Sequence, residues 1–97
     1  MFVGALHIEL QIPDSGSLKA KRSVVRHILE VTRRRYGVSA SEVDFQDKWQ
    51  RAGLGFCLVA PSAGQVEEIL DKVERFVWSH PEVIVLTSAR HWLDQDD

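Results

Sequence analysis

Asparagine is missing from this 97-residue chain altogether, and cysteine occurs once, as Cys57. A lone thiol excludes an internal disulfide and suits a reducing cytoplasm. Loss of a thermolabile amide points toward a thermophilic source. Long hydrophobic runs are missing too. None approaches the roughly 20 apolar residues that span a bilayer, which speaks against a membrane helix. The first ten residues, MFVGALHIEL, lack a basic flank and alternate in polarity, so no signal peptide is expected.

What is present is ordinary for a globular protein, with 44% hydrophobic and 27% charged residues. The length corresponds to one domain over residues 1–97 with a core of its own. Disorder is expected only at the acidic end, Asp94 to Asp97.

The net charge of −2 hides an asymmetry. Between Ser17 and Tyr36 stand seven of the twelve basic residues and one acid, Glu30, so this segment carries +6 and the remainder −8.

Periodicity gives the element order. Leu6, Ile8, Leu10 and Ile12 alternate with more polar neighbours, which predicts a half-buried strand ended by Pro13-Asp14-Ser15-Gly16. Ser17 can cap a helix in which Leu18, Val25, Ile28, Leu29, Thr32 and Tyr36 share one arc, with Gly37 as its stop. A strand from Val38 to about Phe45 and another from about Arg51 to Ala60 follow. Pro61 to Gly64 opens a second helix, with Val66, Ile69, Leu70, Val73, Phe76 and Val77 on its apolar side and Ser79-His80-Pro81 as its stop. A β-branched run from Val83 to about Ser88 predicts the last strand. The order βαββαβ predicts an α+β, ferredoxin-like fold: a four-stranded antiparallel sheet with two helices on one face. Such a fold hosts many functions, so function has to come from residues.

The basic helix is the first candidate. Lys19, Arg22, Arg26 and Arg33 fall within about 60° on a helical wheel, and Arg34 extends the charge around the last turn. Lys21 completes the set expected to contact an anionic partner. Arg33 to Arg35 also complement the helix dipole, so a solvated face is the competing reading. A cationic stripe on an otherwise acidic protein fits phosphates, and RNA or a ribosomal subunit is the expected partner. Duplex DNA fits less well, since no recognition-helix motif is present. Gly53, Gly55 and Cys57 stand where an RNA-binding sheet would carry aromatics, so base stacking on the central strands is not expected.

The second candidate is EVDFQDKWQR, Glu42 to Arg51, between the second and third strands. Its acids are expected to be neutralised by Lys48 and Arg51 rather than to hold a metal or act in catalysis. Trp49 reads either as a cover over the core or as an anchor for a partner, a second copy of this chain included. Gln46, Asp47, Trp49, Gln50 and Arg51 form the expected partner-contact hairpin. His7, His27, His80 and His91 have no ligand spacing, and Trp78 and Trp92 read as packing residues. No catalytic residue, metal or cofactor is assigned, and the chain is expected not to be an enzyme.

Two enzyme or regulatory families share the predicted order. Acylphosphatases depend on an arginine in the first loop and on an asparagine, and this chain has no asparagine. Ligand-binding regulatory domains of the ACT type resemble IPDSGSL in the first loop, but charge replaces small apolar residues at LKAKR. The fuller resemblance is to the YlxP-like family, small bacterial proteins of unknown function. It rests on SLKAKR, Ser17 to Arg22, and on EVDFQDKWQRA, Glu42 to Ala52. Family members read similarly at Leu18, Lys19, Lys21, Arg22, Asp44, Gln46, Asp47, Trp49 and Gln50. Where they commonly carry a histidine this chain has Phe45, which speaks further against catalysis. The resemblance implies a ferredoxin-like fold. It also implies a gene neighbourhood of translation initiation factor two and ribosome-binding factor A, in keeping with RNA or ribosome work.

Overall fold

The computed structural model describes residues 1–93, so the acidic end, Asp94 to Asp97, lies outside the described residues. The elements run β1 (Phe2–Gln11), α1 (Leu18–Tyr36), β2 (Ser39–Asp44), β3 (Arg51–Ala60), α2 (Ala63–Trp78) and β4 (Ile84–Trp92). The sheet order is β2-β3-β1-β4, all neighbours antiparallel, which is the ferredoxin-like arrangement. β1 is central because its apolar side chains alternate without interruption. Leu6, Ile8, Leu10 and Ile12 all lie in the core with Leu54 and Phe56 of β3. The two helices close that core with Val25, Ile28, Val66, Leu70, Val73 and Val77.

Local signals set the helix ends. Ser17 Oγ accepts from the Ala20 N–H at 3.1 Å, and Gly37, at φ 68°, donates its N–H to the Arg33 carbonyl. Ser62 caps α2 by accepting from the Gln65 N–H at 3.2 Å. Buried Thr32 is satisfied within α1, donating to the carbonyls of Ile28 and Leu29.

Three expectations change. The buried arc of α1 is wider than its apolar pattern, because Lys21, Val24 and Val31 join it. β4 continues past Ser88 to Trp92. Its second half is polar because β4 is an edge strand whose Ser88 and Arg90 reach Glu74 and Asp71 of α2, which hides the alternation. Trp78 and Trp92 are not core residues, at 59% and 40% exposed.

The β2 edge is guarded by α1. Arg33 donates through Nε, at 3.1 Å, and Nη2 to the carbonyl of Ala40. A free edge carbonyl is thereby covered by a charge, which discourages pairing with another strand.

Candidate functional site

Lys21 projects from the first turn of α1 into the protein and is fully buried, at 0% exposure. Its Nζ lies 2.8 Å from Glu42 Oε2 on β2 and donates to the Phe45 carbonyl. Glu42 Oε2 is itself shut off from water and accepts no well-angled hydrogen bond, so the ammonium is its compensation. A buried charge is tolerable only when paired in this way. Lys21 therefore cannot reach a partner on the surface, and its expected phosphate contact is corrected to a structural one. The wheel position carried the signal: Lys21 sits four residues before Val25 and seven before Ile28, on the buried arc.

The Phe45 carbonyl also accepts the Lys48 N–H at 3.0 Å. Phe45 has φ 62°, left-handed backbone that costs a non-glycine residue about 1–2 kcal/mol. The two donors on its carbonyl hold it there, and the Arg51 guanidinium lies 4.7 Å from the centre of its ring. Gln50 ties down the other end of the loop. Its side-chain amide donates to the carbonyls of Pro13 and Ser15, at 3.1 and 3.3 Å, and its own carbonyl accepts from the Ile12 N–H. SLKAKR and EVDFQDKWQR, separate in the chain, are thus one bonded unit.

The acids of this unit do not pair as expected. Glu42 pairs with Lys21, Asp44 Oδ2 lies 2.9 Å from His7 Nε2, and Arg51 reaches Glu9 at 3.0 Å. Neither Lys48 nor Arg51 neutralises an acid of the loop. Asp44 can lie across the sheet only because residue 53 is glycine, where a Cβ would stand 2.6 Å from that of Asp44. Among the described residues no group of three or more His, Cys, Asp or Glu is placed to hold a metal ion.

Five loop residues are exposed, Gln46 to Gln50, and of these Gln50 has its side-chain amide committed to Pro13 and Ser15. At 57% exposure Trp49 is not a cover over the core. It borders a cleft of about 580 Å³ with Gln11, Phe45, Lys48, Gln50, Arg51 and Leu86.

On α1, Lys19, Arg22, Arg26 and Arg34 are exposed, and none forms an ion pair with a carboxylate among the described residues. Arg33 is exposed as well, but its guanidinium is committed to Ala40. Lys21 joins the loop to α1 from the buried side of the helix, away from the stripe.

Comparison with known proteins identifies the family. The profile of a family described as "Protein of unknown function (DUF503)" matches residues 3–90, from β1 into β4. The "Uncharacterized protein YlxP" of Bacillus subtilis (strain 168) is 38% identical over 90 residues, spanning 93% of this chain and 98% of the relative. The chain belongs to this YlxP-like family of proteins of unknown function.

Proposed function

We propose that this member of the YlxP-like family is a binding module that docks on RNA, alone or within a ribosomal particle, through the outer face of α1. The observation that carries the reading is the row Lys19, Arg22, Arg26 and Arg34, exposed and without carboxylate partners among the described residues. Cations left unpaired on a chain of net charge −2 are a local electrostatic footprint for phosphates. Glu30 is the one acid on this face, four residues from both Arg26 and Arg34, so the face keeps a net positive charge, while Glu42 is occupied by Lys21.

The test is co-sedimentation with ribosomal subunits and with single-stranded RNA at low salt. Arg22→Glu combined with Arg26→Glu should abolish it while leaving the melting temperature within a few degrees, because both side chains are exposed. Unchanged co-sedimentation of the double variant would reject the α1 interface.

A further inference from the structure

We infer that the cleft beside Trp49 is a seat for one unstacked base of the same RNA strand whose phosphates lie along α1. The inference rests on the α1 reading and adds to it a second, chemically different contact. Four observations converge on it.

The indole is exposed on a loop that does not need it for packing. That loop is nevertheless held rigidly, by Lys21 and the Lys48 N–H on the Phe45 carbonyl and by Gln50 on the carbonyls of Pro13 and Ser15. An aromatic fixed before binding loses little entropy when a ring stacks on it. The cleft, at about 580 Å³, falls within the roughly 300–1,000 Å³ of small-ligand sites.

The lining suits a nucleotide. Trp49 and Phe45 provide aromatic surface, Lys48 provides positive charge while Arg51 is paired with Glu9, and the Gln11 amide offers both a donor and an acceptor for a base edge. Among the described residues no carboxylate lines the cleft itself. The cleft opens on the helix-free side of the sheet, with Gln11, so a strand coming from the outer face of α1 reaches it by passing around the Phe45 turn, which Lys21 bonds to the helix. The flat central strands, with Gly53, Gly55 and Cys57, are not required for stacking. The base platform lies at the end of the sheet instead.

A variant with Trp78→Phe and Trp92→Phe leaves Trp49 as the sole tryptophan and replaces two residues that are themselves exposed. A twelve-nucleotide single-stranded RNA should quench its fluorescence saturably, whereas inorganic polyphosphate of equal charge should not. In anisotropy titrations with the labelled strand, Trp49→Ala should weaken binding about 5- to 150-fold, and Trp49→Phe should keep most of the affinity. Several results overturn the inference. Strand binding that is lost in Arg22→Glu plus Arg26→Glu, yet unchanged in Trp49→Ala and silent in fluorescence, leaves the helix reading intact and removes the base seat. Equal quenching by polyphosphate reduces the cleft to a charge sensor. Equal quenching by adenosine monophosphate assigns it to a free nucleotide. A dimer in light scattering that Trp49→Ala dissolves assigns the indole to a second copy of this chain. No RNA binding by the wild type removes both readings together.

Discussion

An ammonium with no access to water must find its compensation inside the protein, and Lys21 finds it on Glu42 and on the Phe45 carbonyl. The pair links α1 to β2 and fixes the left-handed turn from which the Trp49 loop departs. Removing one partner strands the other charge. Glu42 keeps 17% of its side chain exposed, so water screens part of the cost. Lys21→Met should therefore lower stability by about 2–3 kcal/mol, below the full penalty for breaking a buried pair. In a domain of this size that is a fall in Tm of about 10–20 °C. Adding Glu42→Leu should recover most of the loss, because an apolar replacement of both partners leaves no orphaned charge. Urea denaturation of the two single variants and the double variant measures the coupling. A double variant that is the sum of the singles would mean that packing of the lysine stem, not charge, is what Lys21 provides.

At the scale of elements, the end of α2 carries a proton-sensitive contact. His80 packs edge-on against Phe76 and against His27 of α1, at 6.4 and 5.7 Å between ring centres. Burial holds its pKa below the ordinary 6.5, and His27 adds to the effect while Glu82 opposes it. The fold thus prefers the neutral ring. Its stabilising contribution is complete above pH 6.5 and is lost as pH falls toward the lowered value, where the unfolded chain binds a proton that the folded chain does not. Thermal melts between pH 7.5 and 5.5 should show Tm decreasing with acid, and His80→Gln should flatten that decrease. An identical slope in the variant would place the acid sensitivity elsewhere. Element order itself was legible, because the switches between a period of two and a period of 3.6 residues are sharp in β1, α1 and α2. The far half of β4 was not, since an edge strand with Arg90 and Ser88 turned to α2 has no apolar alternation to read. Partner choice was illegible for a related reason. Lys48 and Arg51 are the sequence neighbours of Asp47, but Glu42, Asp44 and Arg51 find Lys21, His7 and Glu9 across the sheet and the helix. Only tertiary register decides that, although the wheel position of Lys21 already pointed inward.

Across the whole molecule, charge is segregated rather than balanced. A protein of net charge −2 repels a polyanion at long range unless its cations are gathered on one side. The outer face of α1 gathers them, while much of the acid elsewhere is spent internally, Asp71 and Glu74 on Arg90 and Glu68 on Lys72. Attraction then depends on local contacts, and its salt dependence counts them. Four exposed cations, Lys19, Arg22, Arg26 and Arg34, meeting four phosphates of a single strand give a slope of log K against log salt of about −3. Raising salt from 50 to 200 mM should therefore weaken binding about 50-fold. Arg22→Ala with Arg26→Ala removes half of the contacts and should halve the slope, with affinity at high salt changing far less than at low salt. Stacking on Trp49 releases no counterions, so Trp49→Ala should shift the line downward without changing its slope. A flat line for the wild type, or a slope that the two alanines leave untouched, would mean that net charge governs the encounter and that the α1 stripe is only a solvated face.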